Sequence, residues 1–420
     1  MLNGSKFSFG RCPGTICDRW IIRQGPSGVL WVGLDLSSLT SQSKAVEGRA
    51  GASRIDVRIL MALWLYATLR GISSARELDR RCGEQGEIPF CWICGGVRVN
   101  YYTLSDFRTA HVEYLDSLLT HGVAALMHEG LVDLERVAQD GMRVRASAGS
   151  SSFRRKQTLE DCLREAKTHL QDLKDEQERD QAAASARVQA AQQRAAQERL
   201  QRIQAALDQM PEAEAKKKSH EKEKARISTT DADARVMKMA NSGFRPAYNV
   251  QFATDTKTQI ITGVDVTNNG GDRGELGKMV DQHQHRYGEI PEEYLVDGGF
   301  RSKADIDKVS PHPEAEDSRR TVVYAPVRKS KEGSDVHQRR KNEPASVGDW
   351  RERMGTEAAK EIYKDRAATA ECVNAIARNR GLQQFGVRGL EKVRAALLWY
   401  ALAHNLVRSL TRIIHGDSEF

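Results

Sequence analysis

At 420 residues, 40% hydrophobic and 29% charged, the chain is long enough for a sizeable core and too apolar for a disordered or fibrous protein. Seven cysteines in this length, no visible secretory signal and no apolar run longer than residues 59–69 argue against a disulfide-stapled scaffold or a helical membrane span, and predict a cytoplasmic protein with no membrane partner. A formal net charge of +7, with cations clustered at Arg154-Arg155-Lys156, Lys216-Lys217-Lys218, Arg319-Arg320 and Arg339-Arg340-Lys341, points to a polyanion partner; for any single cluster, solvated surface is the alternative.

Residues 1–53 have little periodicity and read as an arm with short elements around Trp20 and Trp31. A helical domain is predicted over 54–130. Its first helix starts at the capping box Ser53 to Asp56, carries Ile55, Ile59, Leu63 and Tyr66 at helical spacing, and stops at Gly71. A second runs from Ser74 to Cys82. A third starts at Thr103 and continues through Phe107, Ala110, Tyr114 and Leu118 towards Leu126. Three helices with short turns suit a helix-turn-helix DNA reader or a plain packing unit. Cys82, Cys91 and Cys94 fall here; Cys91 and Cys94 have zinc or redox spacing, but no second such pair supplies further ligands, and buried small hydrophobes explain them as well.

Residues 131–155 open the main domain. Val132 to Val137 alternates like a strand, which is expected to end at Gln139-Asp140-Gly141. Residues 156–226 then change character, being charged and rich in Gln and Ala, with no Gly. Leu159, Leu163, Ala166, Leu170 and Leu173 step by four and three, as do Leu200, Ile203, Leu207 and Met210, predicting a long coiled-coil-like helical insertion. The main domain resumes over 227–420. Tyr248, Val250 and Phe252 give a strand, 260–266 its hairpin partner, and Asp272 caps a helix running towards Arg286. A strand delivers Asp297 to Gly298-Gly299, a short helix follows Ser302, and 321–324 is a strand. Residues 326–350 read as a polar, basic loop, with helices from about Thr356 and Gly389. Without the insertion the order is three strands, then helix, strand, helix, strand, helix, which predicts an α/β fold with a mixed sheet flanked by helices.

Phosphoryl transfer by two divalent ions needs clustered oxygen ligands, and hard Mg²⁺ keeps waters, so two or three carboxylates suffice. Asp140 and Asp297 close strands that can be neighbours in such a sheet. Glu371, among small residues on a helix with Val373, Ile376 and Ala377 on its apolar side, is the third candidate. Taken singly, each acid is equally well a turn or a cap.

These residues carry a resemblance. The segments 49–108, 139–148, 243–251, 296–300, 369–371, 378–382 and 401–406 are similar to those of insertion-sequence transposases of the DDE type, nearest the IS1182 group within the IS4/IS5-like set. The resemblance implies an RNase H-like domain with Asp140, Asp297 and Glu371 as its acidic triad and metal ligands, and two Mg²⁺ or Mn²⁺ ions. It implies terminal inverted repeats and target DNA as partners, and a homodimer or higher assembly. Tyr363, Arg366 and Arg378 resemble the DNA-contacting residues of the family's last catalytic helix. Arg366 stands five residues before Glu371, one more than in the family pattern, and is therefore expected to point away from the acid on a continuous helix. A nuclease without strand transfer, or an inactive DNA-binding remnant, are the alternatives.

Overall fold

The computed structural model describes Leu39 and residues 55–83, 86–179, 186–311, 320–328 and 335–415; the predicted arm lies outside these residues apart from Leu39. The chain forms two compact units. The first joins the described residues up to Trp64 with Ala75–Phe107. It holds the first half of α1 (Val57–Leu69), then α2 (Ala75–Arg81), α3 (Ile88–Cys94) and most of α4 (Tyr101–Ala110). Leu63, Trp64, Leu78, Phe90 and Leu104 are its fully buried centre, and the Trp64 indole N–H donates to the Leu104 carbonyl at 3.0 Å. Helix α3 departs from expectation; Pro89 in its first turn and Gly95, at φ 58°, bound it. It carries Cys91 and Cys94. Cys94 is buried like Cys82, and Cys91 partly so.

The third predicted helix is two. Asn100, not Thr103, opens α4, its Oδ1 accepting from the Thr103 amide at 3.0 Å. Residue His111 interrupts the run before α5 (Val112–His128).

The second unit joins Leu65–Ser74 with the chain from Arg108 onward. Its sheet is built by β1 (Arg136–Arg145) and, beyond the insertion, by four strands and a short fifth. The insertion begins after β2 (Phe153–Arg154) with α6 (Lys156–Arg179) and continues in α7 (Ala186–Asp208) and α8 (Met210–Ala215). Helices α6 and α7 lie against one another. Leu159, Ala206, Met210, Ala225 and Ile227 close the base of this insertion, where β2 pairs with β3 (Ile227–Ser228).

The chain then enters β4 (Arg235–Met239), β5 (Gly243–Asp255) and β6 (Ile261–Thr267). The β5–β6 turn is tight because Asp255 Oδ1 accepts from both the amide (2.7 Å) and hydroxyl of Thr258. After α9 (Glu275–Tyr287) come β7 (Glu293–Val296), α10 (Lys303–Val309), capped by Ser302, and β8 (Val322–Tyr324). The order across the sheet is β5, β1, β7, β8, with β4 and β6 both on the outer side of β5. Strands β4, β5, β6 and β1 pair antiparallel, and β1, β7 and β8 pair parallel. Short turns join β4 to β5 and β5 to β6, the insertion separates the antiparallel pair β1 and β5, and the parallel strands β7 and β8 are reached through the helical crossovers α9 and α10.

Four helices follow: α11 (Ala345–Arg353), α12 (Glu357–Arg366), α13 (Cys372–Asn379) and α14 (Leu390–His415). Helix α14 packs on β6 and α5 through Val393, Leu397, Trp399, Leu402 and Leu406. Asn405 clamps it to the strand, its amide donating to the Ile261 carbonyl and accepting the Ile261 amide, each at 2.8 Å. The fold is thus a mixed sheet flanked by helices.

Three expectations need correction. Strand β1 does not end at Asp140. It begins at Arg136, after Leu134 turns through a left-handed backbone (φ 53°), and runs on to Arg145 because β5 continues to pair with it. The predicted loop over 326–350 contains α11, whose Trp350 is buried and donates its indole N–H to the Ala325 carbonyl. The side chain of Asp272 does not cap α9; Gly274, at φ 90°, stands there, and Asp272 is turned into the sheet rim.

Candidate active site

The last parallel pair of β1 and β7 is Gln139 with Val296. The next residues along these neighbouring strands are Asp140 and Asp297, which leave the end of the pairing side by side and close enough for Asp297 to act on the Asp140 carboxyl. Here β7 stops while β1 continues, so a rim opens beside Asp140. Asp140 Oδ1 accepts from the Gly141 amide at 2.9 Å and Oδ2 from the Asn374 amide group at 3.0 Å. The Asp140 carboxyl is pushed up to about 6: burial is the largest cause, Arg366 and the Gly141 amide oppose it, and Asp297 and Asp272 add to it.

The chain leaves β7 sharply. The Asp297 side chain accepts from the Gly299 amide at 2.6 Å, forming a tight turn over Gly298–Phe300 that the buried Phe300 anchors. A Cβ on Gly299 would sit 2.9 Å from Asp297 Oδ1 and 3.2 Å from Asp272 Oδ2, so the second glycine lets the backbone pass between two carboxylates.

The third acid comes from the run α12–α13. Between the two α-helices, Ala367–Glu371 forms a π-turn. Five residues at 100° each place two side chains about 140° apart on an α-helix, whereas the wider π-turn, closed from i to i+5, brings them to one face. Arg366 therefore does not point away: its Nη2 lies 2.7 Å from Glu371 Oε1 and its Nη1 3.9 Å from Asp140 Oδ2. The extra residue in the spacing is taken up by the bulge. Nη1 is buried and has no hydrogen-bond partner among the described residues. Below, the Tyr363 hydroxyl donates to the Val296 carbonyl at 3.1 Å, the residue before Asp297, and Arg136 pairs with both Glu293 and Asp365. These contacts fix α12 to the rim. Arg378 lies exposed two turns beyond Glu371, about 10 Å along the same helix face.

Two residues that the sequence pattern did not assign to the site belong to this rim. Asn374, 3% exposed, follows Glu371 by one turn and binds Asp140. Its signal was an amide on an otherwise apolar face beside Val373 and Ala377. Asp272, 6% exposed, accepts from Asn249 (2.7 Å), Gln251 (2.8 Å) and Arg143 (2.9 Å). Its signal was the polar alternation of Asn249 and Gln251 along a buried strand.

Three carboxylates are hard oxygen donors of the kind Mg²⁺ and Mn²⁺ prefer. Among the described residues, though, no three His, Cys, Asp or Glu side chains stand close enough to grip an ion together. Arg366 bridges towards Asp140 while holding Glu371 outward. The donor chemistry fits a divalent ion, while the Arg366 guanidinium lies between Asp140 and Glu371.

Residues 326–410 match the family model of the transposase DDE domain. The matched span covers Glu371 and its helix as well as Tyr363, Arg366, Asn374 and Arg378; Asp140 and Asp297 lie outside it. The match supports a DDE transposase, a class that uses divalent metal ions and acts on DNA. No curated protein and no solved structure matches the chain.

Proposed function

We propose that the chain is the DNA transposase of an insertion sequence of the IS1182 type, cutting the element's terminal inverted repeats and joining the freed 3′ hydroxyls to target DNA. The observation that carries this reading is the meeting of Asp140 and Asp297 on adjacent strand positions with Glu371 reached through Arg366, inside a unit of which residues 326–410 match the DDE domain. The strand order supports an RNase H-like sheet: an antiparallel meander of β1, β5 and β6, extended by the parallel β7 and β8.

Asp140, Asp297 and Glu371 would hold a pair of Mg²⁺ or Mn²⁺ ions, whose chemistry would be to activate the attacking water or hydroxyl and to stabilise the leaving oxygen. The protein's own part is positioning. The Asp297 turn and the Asn374 hydrogen bond fix two carboxylates at the rim. Arg366, with its unsatisfied buried Nη1, is poised to take a phosphate oxygen once released from Glu371. Exposed Arg378 extends the cationic track along the helix, and the N-terminal helical unit and the basic clusters hold flanking DNA. Paired ends call for at least two copies of the chain.

Asp297→Ala is expected to abolish strand cleavage of an inverted-repeat duplex in Mg²⁺ while end binding in a gel-shift assay changes less than about threefold. Wild-type protein given pre-cut ends with free 3′ hydroxyls should form joined products; cleavage without joining would leave a nuclease. Cleavage by the Asp297→Ala protein would place the chemistry elsewhere.

A further inference from the structure

We infer that Gln259, in the turn between β5 and β6, is a positioning residue: it holds the Ala367–Glu371 π-turn and so keeps Arg366 and Glu371 on one face of the rim. This rests on the proposed function above, since it concerns how that site presents its acid and its arginine. Gln259 has a left-handed backbone (φ 59°), a conformation that strains a residue carrying a Cβ and that glycine or asparagine adopts more readily. Such strain persists where the surroundings over-determine it, and it gathers at functional sites. What glycine would lack here is the side chain.

Each polar group of Gln259 is engaged. Its backbone amide donates to the Asp255 carbonyl at 2.9 Å, closing the turn, and its carbonyl accepts from His404 Nε2 on α14 at 2.9 Å. Its side-chain Nε2 donates to the Ala368 carbonyl, inside the π-turn, at 3.3 Å. Its Oε1 accepts from Cys372 Sγ, immediately after Glu371, at 3.8 Å, and from Arg408 of α14. One amide therefore grips the bulge at Ala368 and at Cys372 and ties it to the β5–β6 turn and to α14. A π-turn is rare because the regular α ladder competes with it, so contacts from outside the helix decide whether it is kept. The hydrogen bonds of Tyr363, Asp365 and Asn374 that seat this run lie on either side of the π-turn rather than in it. The partners of Gln259 are the residues between and beside Arg366 and Glu371, so it acts through the turn.

The test compares cleavage of an inverted-repeat duplex in Mg²⁺ by the full-length protein under single-turnover conditions. Gln259→Gly suits the backbone and removes the side chain. It is expected to slow cleavage about tenfold or more, while end binding changes less than about threefold and the melting temperature by only a few degrees. Gln259→Asn, tolerant of the same backbone and one methylene shorter, should do the same. A merely structural residue would not pass the next comparison. Deleting Ala367 makes the helix continuous and in need of no clamp, and in that protein Gln259→Gly should cost less than about twofold. Equal loss with and without Ala367, or wild-type cleavage by both Gln259 variants, would overturn the inference. Hydrogen–deuterium exchange decides it independently of activity: Gln259→Gly should speed exchange of the amides over 368–373, and unchanged exchange there would overturn it too. A wild-type chain that cuts no inverted repeat would instead remove the proposed function, and the exchange measurement would still decide whether Gln259 holds the turn.

Discussion

At the scale of single residues the site is governed by close approach. Gly141 follows Asp140, and a Cβ there would lie 2.1 Å from Asp272 Oδ1 and 2.7 Å from Gln251 Nε2. Neither neighbour can yield, because Asp272 is tied by Asn249, Gln251 and Arg143 and Gln251 is itself bonded to Gln139. Gly141→Ala is therefore expected to destabilise the second unit by about 1–3 kcal/mol, the usual cost of overpacking. Its thermal midpoint should fall by several degrees. Gly271→Ala, where an added Cβ meets nothing within 4 Å, should leave it unchanged. An equal effect of the two substitutions would mean that the Asp272 network is soft. Both Asp140 and Asp297 were legible in the sequence because each combines an apolar run, an acid and glycine. Asp272 was legible only as a helix cap: its real partners are 21 and 23 residues upstream on β5 and 129 upstream on β1, a distance that local pattern does not cover.

At the scale of elements, the informative case is the run from Tyr363 to Arg378. Its helical character was readable from apolar spacing, and Thr356 caps its start as a sequence signal should, accepting from the Ala359 amide. The one-residue excess between Arg366 and Glu371 could be counted in the sequence, but its outcome could not, since either a rotated arginine or a local bulge accommodates it. The bulge wins because both sides are anchored: Tyr363 to Val296 and Asp365 to Arg136 before it, and Asn374 to Asp140 after it. A rotation of the α12 face would break two of these contacts, whereas a single π-turn breaks none. Deleting Ala367, an exposed residue of the π-turn, should convert the run to continuous α-helix and keep every anchor. The deletion protein is expected to melt within a few degrees of wild type and to retain strand cleavage. Deleting Ile376 from the regular α13 should instead unseat the rim and abolish activity. If the Ala367 deletion is as damaging as that of Ile376, the bulge is not the absorber of the extra residue. Helix α11 escaped the pattern for a different reason: its stability comes from burying Val347 and Trp350 and from Arg351 pairing with Glu343, and little apolar periodicity precedes them.

At the scale of the whole second unit, the core stores histidines that respond to acid. His283 is fully buried between the Met279 carbonyl and the Thr262 hydroxyl, and His404 is buried on α14 with its Nε2 at the Gln259 carbonyl, 2.9 Å away. Burial pushes each down to about 4, and Arg286 beside the first and Arg408 and Arg380 beside the second act in the same direction. The unfolded chain titrates them near 6.5, so between about 6.5 and 4 it binds more protons than the folded chain, and folding stability is lost as pH falls through that window. Above 6.5 the contribution is complete and flat. One histidine shifted this far accounts for about 3 kcal/mol over the full window. Asp140, raised to about 6, works against this trend, because the folded state holds its proton more firmly than the unfolded one. The total pH profile therefore mixes opposite signs, and the histidine part is isolated by difference. His404→Gln keeps a donor for the Gln259 carbonyl and removes the titration. Between pH 7 and 4.5, wild type is expected to lose about 2–3 kcal/mol more than His404→Gln, read from urea midpoints at fixed ionic strength. Parallel profiles for the two proteins would show that His404 takes up its proton in the folded core at the same pH as in the unfolded chain, and that its environment is wetter than its burial implies.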